Sequence, residues 1–75
     1  MINSEGRQAN VLVTGGGGMV AYFLINLLKD LGASVTSADL PESQLHTDVI
    51  GDLRSRGFCK EICENKDIIF NLAGL

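Results

Sequence analysis

Val13-Thr14-Gly15-Gly16-Gly17-Gly18-Met19-Val20-Ala21-Tyr22-Phe23, VTGGGGMVAYF, sets four consecutive glycines between an apolar run, Val11 to Val13, and a long apolar segment that begins at Met19. Glycine loses more conformational freedom on folding than any other residue, so an uninterrupted block of four is costly and needs a reason. The reason such a block supplies is close approach: something comes so near the backbone that side chains are excluded.

Outward from the glycines, Val11 to Thr14 has the length and composition of a buried strand. From Gly18 to Leu31 the pattern turns helical, with Met19, Val20, Phe23, Leu24, Leu27, Leu28 and Leu31 at helical spacing and Gly32 placed as a C-terminal cap. Val35 to Ala38 reads as a second strand ending at Asp39, before a turn that Pro41 opens. Thr47 to Ile50 reads as a third strand closed by Gly51. A second helix is expected from Leu53 to about Asn65, with Phe58 and Ile62 on one face, and Asp67 to Leu72 (DIIFNL) as a fourth strand. The order strand, helix, strand, strand, helix, strand indicates a parallel α/β sheet. The connection over residues 40–46 is short for a parallel crossover, so either it holds a single helical turn or the third strand lies elsewhere. Residues 1–9 are expected to form a frayed, disordered leader.

A chain of 75 residues allows one domain at most, and its 45% hydrophobic and 20% charged composition is that of a globular protein. The glycine block cuts the nearly uncharged run from Val11 to Leu28, leaving too few apolar residues to cross a bilayer. The polar opening MINSEGRQAN is no secretory signal, so a cytoplasmic location is expected. A net charge of -3, with Arg54 and Arg56 as the only close basic pair, argues against nucleic acid as a partner. Cys59 and Cys63 share a helix face without further cysteines or a second histidine to complete a zinc set, and are expected to be two reduced, packed thiols.

Strand, glycine block and apolar helix together form the arrangement that binds a dinucleotide diphosphate. One glycine makes the tight turn, another lets the backbone approach the phosphates, and a third small residue lets helix and strand pack closely. The N–H groups at the helix start, those of Met19 and Val20 among them, then face the anion at the positive end of the helix dipole. Two registers fit, Gly15-x-x-Gly18-x-x-Ala21 and Gly16-x-Gly18-x-x-Ala21, and Gly18 and Ala21 serve in both. A P-loop would need Gly-Lys-Ser/Thr where Met19 and Val20 stand. The bland alternative is a flexible glycine turn. Asp39 lies at the end of the second strand, roughly twenty residues beyond the glycines, where a carboxylate accepts from the ribose hydroxyls of a bound dinucleotide. It could also be a simple turn aspartate before Leu40-Pro41. No Lys or Arg lies between Gly15 and Gly18 or just after Asp39, which favours NAD over NADP.

With these residues assembled, the chain resembles the short-chain dehydrogenase/reductase superfamily, most closely its extended branch, the NAD-dependent epimerase/dehydratase family. Thr14-Gly15-Gly16-Gly17-Gly18-Met19-Val20-Ala21 is similar to that branch's Thr-Gly-x-x-Gly-x-x-Gly, with Ala21 in place of the last glycine. The resemblance runs from Val11 to Leu75. It implies the N-terminal half of a Rossmann-type doubly wound parallel sheet with strand order 3-2-1-4, in which residues 10–75 are a partial NAD-binding domain truncated after the fourth strand. Gly51-Asp52-Leu53-Arg54 is similar to the family's Gly-Asp-Leu-Arg, which implies that Asp52 contacts the adenine amine and Leu53 the ring; Asp52 could instead, or as well, cap the second helix. Phe70-Asn71-Leu72-Ala73-Gly74 is similar to the segment ending the family's fourth strand, which implies that Leu72, Ala73 and Gly74 lie beside the cofactor. Here the extended branch usually has His-x-Ala-Ala, whereas Asn71 and Gly74 are closer to the Asn-Asn-Ala-Gly of single-domain reductases.

The resemblance also implies a Tyr-x-x-x-Lys pair and a Ser or Thr for catalysis. The only tyrosine is Tyr22, followed four residues later by Asn26, and is expected to be a packing residue; His46 stands alone in a loop. No catalytic residue is therefore assigned. The expected function is NAD(H) binding by the N-terminal part of an NAD-dependent epimerase, dehydratase or reductase acting on a nucleotide sugar. The alternatives are a non-catalytic NAD-sensing module and a truncated product without activity of its own.

Overall fold

Val11, Leu12 and Val13 have no exposed surface, which makes the first strand the centre of the molecule. The computed structural model describes residues 1–15, 17–39 and 48–72. Its elements are β1 (Asn10–Thr14), α1 (Met19–Asp30), β2 (Ser34–Asp39), β3 (Val49–Ile50), α2 (Arg56–Cys63) and β4 (Ile68–Asn71). The four strands form one parallel sheet in the order β3-β2-β1-β4. Val11 pairs with Val35 on one side and Ile68 on the other, and Thr14 with Ala38 and Asn71. The sheet is therefore an α/β half of Rossmann type.

Strand side chains alternate between faces, so β1 serves two cores. Val11 and Val13 belong to one core with Ala21, Ile25 and Leu28 of α1 and with Ala9 and Ala33. Leu12 belongs to the other, with Ala38 and Ile62, against which Val49, Leu53 and Phe58 pack. The expected pairing of Phe58 and Ile62 on one helix face thus appears in the second core.

The buried face of α1 differs from the expected one. Ala21, Ile25 and Leu28 are buried, whereas Met19, Val20, Phe23, Leu27 and Leu31 are exposed. The apolar arc of this helix is wider than its contact with the sheet, and spacing alone does not say which part meets the strand. Small Ala21, only 1% exposed, shares the core with Val11 and Val13 and lies on the line through Ile25 and Leu28. The helix ends in a Schellman motif: the Ala33 N–H donates to Leu28 O at 3.0 Å and the Gly32 N–H to Lys29 O at 2.9 Å. Gly32 takes φ +85°, as its expected capping role requires.

The second helix is shorter than expected at both ends. Ser55, not a residue near Leu53, is its N-cap, and its hydroxyl oxygen accepts from Phe58 N–H at 3.4 Å. Asp52 to Ser55 form a turn closed by Ser55 N–H donating to Asp52 O at 2.9 Å. At the other end Asn65 has φ +60°, which breaks the helical path two residues after Cys63. Residues 40–47, with Pro41, His46 and the first residue of the expected third strand, lie outside the described residues.

Residues 1–9 are tied down rather than frayed. Ile2 and Gln8 form an antiparallel bridge, Ala9 N–H donates to Met1 O at 2.9 Å, and Met1 packs against the α1 core. Asn3 Oδ1 accepts from the N–H groups of Glu5 and Arg7, and Asn3 Nδ2 reaches the Asp67 carboxylate at 3.2 Å. A polar segment was expected to fray because it lacks core side chains, but here local side-chain to backbone bonds close a turn. Asp67 also accepts from Asn10 N–H at 2.7 Å, so this turn, β1 and the start of β4 are joined at the end of the sheet opposite the glycines.

Candidate cofactor-binding site

At the C-terminal ends of the strands, the Gly15 N–H donates to Ala38 O at 2.8 Å, carrying the β1–β2 ladder one residue past β1. Gly15 then turns away with φ +75°, a conformation that favours glycine. Gly18 N–H closes the loop on Gly15 O at 3.2 Å, and Gly18 becomes the N-cap of α1 without any side-chain capping bond. The first turn holds no acidic residue. Its leading N–H groups, those of Met19, Val20 and Ala21, come too early in the helix for intrahelical partners. The side chains of Met19 and Val20 are exposed, whereas Ala21 is buried against Val11 and Val13.

Asp39 closes the other wall. Its side chain is only 8% exposed, and its Oδ2 accepts from Gly17 N–H at 3.0 Å. Its main-chain oxygen accepts from Gly51 N–H at 3.0 Å, so one residue joins the glycine loop to the exit of β3. Across β1, Thr14 Oγ1 donates to Asn71 Oδ1 at 2.6 Å and Leu72 N–H to Thr14 O at 3.0 Å. Strand order reverses direction here: β2 follows β1 on one side, and β4 lies on the other. This is the topological switch point, where open α/β sheets bind ligands.

The model of the NAD dependent epimerase/dehydratase family matches residues 11–75. The chain belongs to that family. Membership implies a nicotinamide dinucleotide cofactor and NAD-dependent function in general. Neither a curated protein nor a solved structure matches the chain.

The residues at the loop of this epimerase/dehydratase-family chain fit such a group. Gly18 has ordinary backbone angles, φ -83° and ψ 164°, and a Cβ built there would meet nothing nearer than Gly15 O at 3.5 Å. Nothing within the described protein therefore requires a glycine at this position. Leu72 is half-buried against the α1 core, while Ala73 and Gly74 lie outside the described residues.

Asp52 does not cap the second helix, because Ser55 does; of its two expected roles the capping one is corrected. Its carboxylate instead accepts from Arg54, at 2.9 Å from the backbone N–H and 3.0 Å from Nε. The Arg54 side chain, then its backbone N–H, hold the Asp52 carboxyl below the usual carboxylate range. Leu53 is half-buried and packs on the α2 core.

Three features escape the sequence pattern. The Gly17–Asp39 and Thr14–Asn71 bonds join residues far apart in the chain, and periodicity within a segment does not pair them. Ser37, 1% exposed, donates its N–H to Asp48 Oδ2 at 3.0 Å and accepts at Oγ from Asp48 N–H at 2.8 Å, docking the start of β3 on β2. Its position in SVTSAD gives no hint of that role.

Tyr22 lies 40% exposed on α1, its ring edge-on to Phe23 with centroids 5.4 Å apart. Cys59 is half-buried and donates to Leu53 O, whereas Cys63 is exposed, which corrects the expectation of two packed thiols. Among the described residues no three His, Cys, Asp or Glu side chains gather as a metal site, and no helix is long and apolar enough to cross a membrane.

Proposed function

We propose that the chain binds NAD(H) across the ends of β1, β2 and β4, as the cofactor-binding part of an epimerase, dehydratase or reductase acting on a nucleotide sugar. The observation that carries this reading is Gly18, a glycine at the mouth of a helix without a side-chain cap that neither its backbone angles nor packing among the described residues demands. A ligand lying against its Cα supplies the missing reason. Gly15 makes the turn, the N–H groups of Met19, Val20 and Ala21 receive the diphosphate, and Ala21 seats the helix. Asp39 accepts from the ribose hydroxyls, Asp52 and Leu53 face the adenine, and Leu72, Ala73 and Gly74 flank the other half of the dinucleotide. Free Cys59 and Cys63 suit a reducing compartment such as the cytoplasm.

Calorimetry on the Gly18→Val variant tests the assignment. The branched side chain enters the phosphate path while the fold stays intact, so NAD affinity should fall below detection with an unchanged circular dichroism spectrum. Wild-type affinity in a folded variant would remove the phosphate loop from this stretch. The carboxylate of Asp39 would also repel a 2′-phosphate, so the wild-type protein should bind NAD more tightly than NADP. The reverse order would exclude Asp39 from the ribose site.

A further inference from the structure

Glycine loses more backbone freedom on being ordered than any other residue, so a loop of four glycines is costly to hold in one shape. The described part of the loop is nonetheless tied at three points. Gly15 N–H donates to Ala38 O, Gly18 N–H to Gly15 O, and Gly17 N–H to Asp39 Oδ2. The first two join backbone groups alone. The third depends on a side chain, and that side chain is nearly buried and sits on the rigid end of β2.

Resting on the proposed NAD site, we infer that Asp39 is a positioning residue for the phosphate loop as well as a ribose acceptor. By clasping Gly17 it holds the loop in shape before the nucleotide arrives. A bond to an ionised acceptor is stronger than a neutral one, and a preformed loop spares the ligand the cost of ordering it. The clasp also assigns the anion donors. Among the described residues, with the Gly17 and Gly18 N–H groups used internally, the diphosphate falls to the N–H groups of Met19, Val20 and Ala21 at the helix start. A carboxylate offers about four acceptor sites, so accepting from Gly17 does not preclude ribose contact. Because the Asp39 main-chain oxygen also holds Gly51, the same residue fixes the distance between the loop and the turn expected to face the adenine.

The two roles separate with ligands that differ only in the ribose. ADP carries the diphosphate and the 2′,3′-diol; 2′,3′-dideoxy-ADP carries the diphosphate alone. A residue that only contacts ribose affects the first ligand and not the second. Asp39→Ala should bind dideoxy-ADP about tenfold more weakly than wild type, the loss of one charge-assisted bond. Asp39→Asn keeps an acceptor for Gly17 and should stay within about twofold of wild type for that ligand. Hydrogen exchange at the Gly17 amide in the ligand-free full chain gives a second readout: slow in wild type and Asp39→Asn, fast in Asp39→Ala. If Asp39→Ala does not fold, Asp39→Ser, too short to reach Gly17, takes its place in both measurements. Dideoxy-ADP affinity equal to wild type in a folded Ala or Ser variant overturns the clasp and leaves the ribose role standing. A wild-type protein that binds neither NAD nor ADP overturns the nucleotide site itself, and the positioning role with it.

Discussion

Gly18 closes the loop after β1 and Gly51 follows β3 directly, so both lie at the same end of the sheet, yet they lack side chains for different reasons. A Cβ on Gly51 would lie 2.4 Å from the Phe58 ring, inside any real contact distance. The glycine lets α2 lay Phe58 across the turn and complete the core around Leu12, Ala38 and Ile62. Among the described residues, a Cβ on Gly18 would meet only Gly15 O, at an ordinary 3.5 Å. Among the described residues, one glycine faces a ring that would have to shift to admit a side chain and the other faces no such contact, although the sequence presents both as loop residues after a strand. The difference teaches where to look for a ligand: at the glycine that the fold itself does not need.

The sharpest way to break this contrast is to add the missing methyl group at each site. Gly51→Ala should destabilise the protein by about 1–3 kcal/mol, the usual cost of overpacking a filled core, read as a lower midpoint in urea. In a Phe58→Leu background the same change should cost less, because the clashing ring is gone and neighbouring substitutions are not additive. An unchanged midpoint for Gly51→Ala alone would mean that Phe58 moves aside freely and that the two glycines are alike. Gly18→Ala should cost under about 1 kcal/mol, as alanine is merely a poorer N-cap than glycine. Its effect should fall on NAD instead, with weaker binding in an otherwise stable protein. A Gly18→Ala protein as unstable as Gly51→Ala would mean that the loop packs more tightly than its geometry indicates.

The same contrast marks how far the sequence could be read. The parallel sheet was legible from the order of its elements, and the strand order and the switch point were implied by the family resemblance of the glycine block and the segments that follow it. The family match over residues 11–75 agrees with that reading. The buried face of α1 was not legible. Periodicity finds an apolar arc but not the part that meets the sheet, which is the line of Ala21, Ile25 and Leu28. The start of α2 was misplaced because Gly-Asp-Leu-Arg looks like a helix entrance, whereas Asp52 spends its carboxylate on Arg54 and leaves capping to Ser55. Residues 1–9 escaped for a similar reason, since the Asn3 turn and its bond to Asp67 depend on β4 arriving beside β1.

The smallest expected effect concerns Asp52, and it bears on whether the turn after β3 is held by packing at Gly51 alone. Arg54 lowers the Asp52 pKa, chiefly through its side-chain hydrogen bond, so the bond favours the ionised carboxylate in the folded protein. The sign of the linkage follows. A group whose folded pKa is depressed stabilises the protein above its unfolded pKa, and the contribution is lost as the pH falls through the folded value. Arg54→Ala should therefore raise the Asp52 titration midpoint toward the ordinary carboxylate range, as read by the side-chain carboxyl carbon shift in NMR. Any loss of stability should be present at neutral pH and vanish in acid. Both partners are exposed, with side-chain accessibilities of 89% and 47%, so salt should weaken the effect further. The Phe58 contact is apolar and should respond to neither acid nor salt. If Arg54→Ala instead matched Gly51→Ala in its cost at neutral pH, the ion pair and not the ring would hold the turn, and the packing explanation for Gly51 would fail.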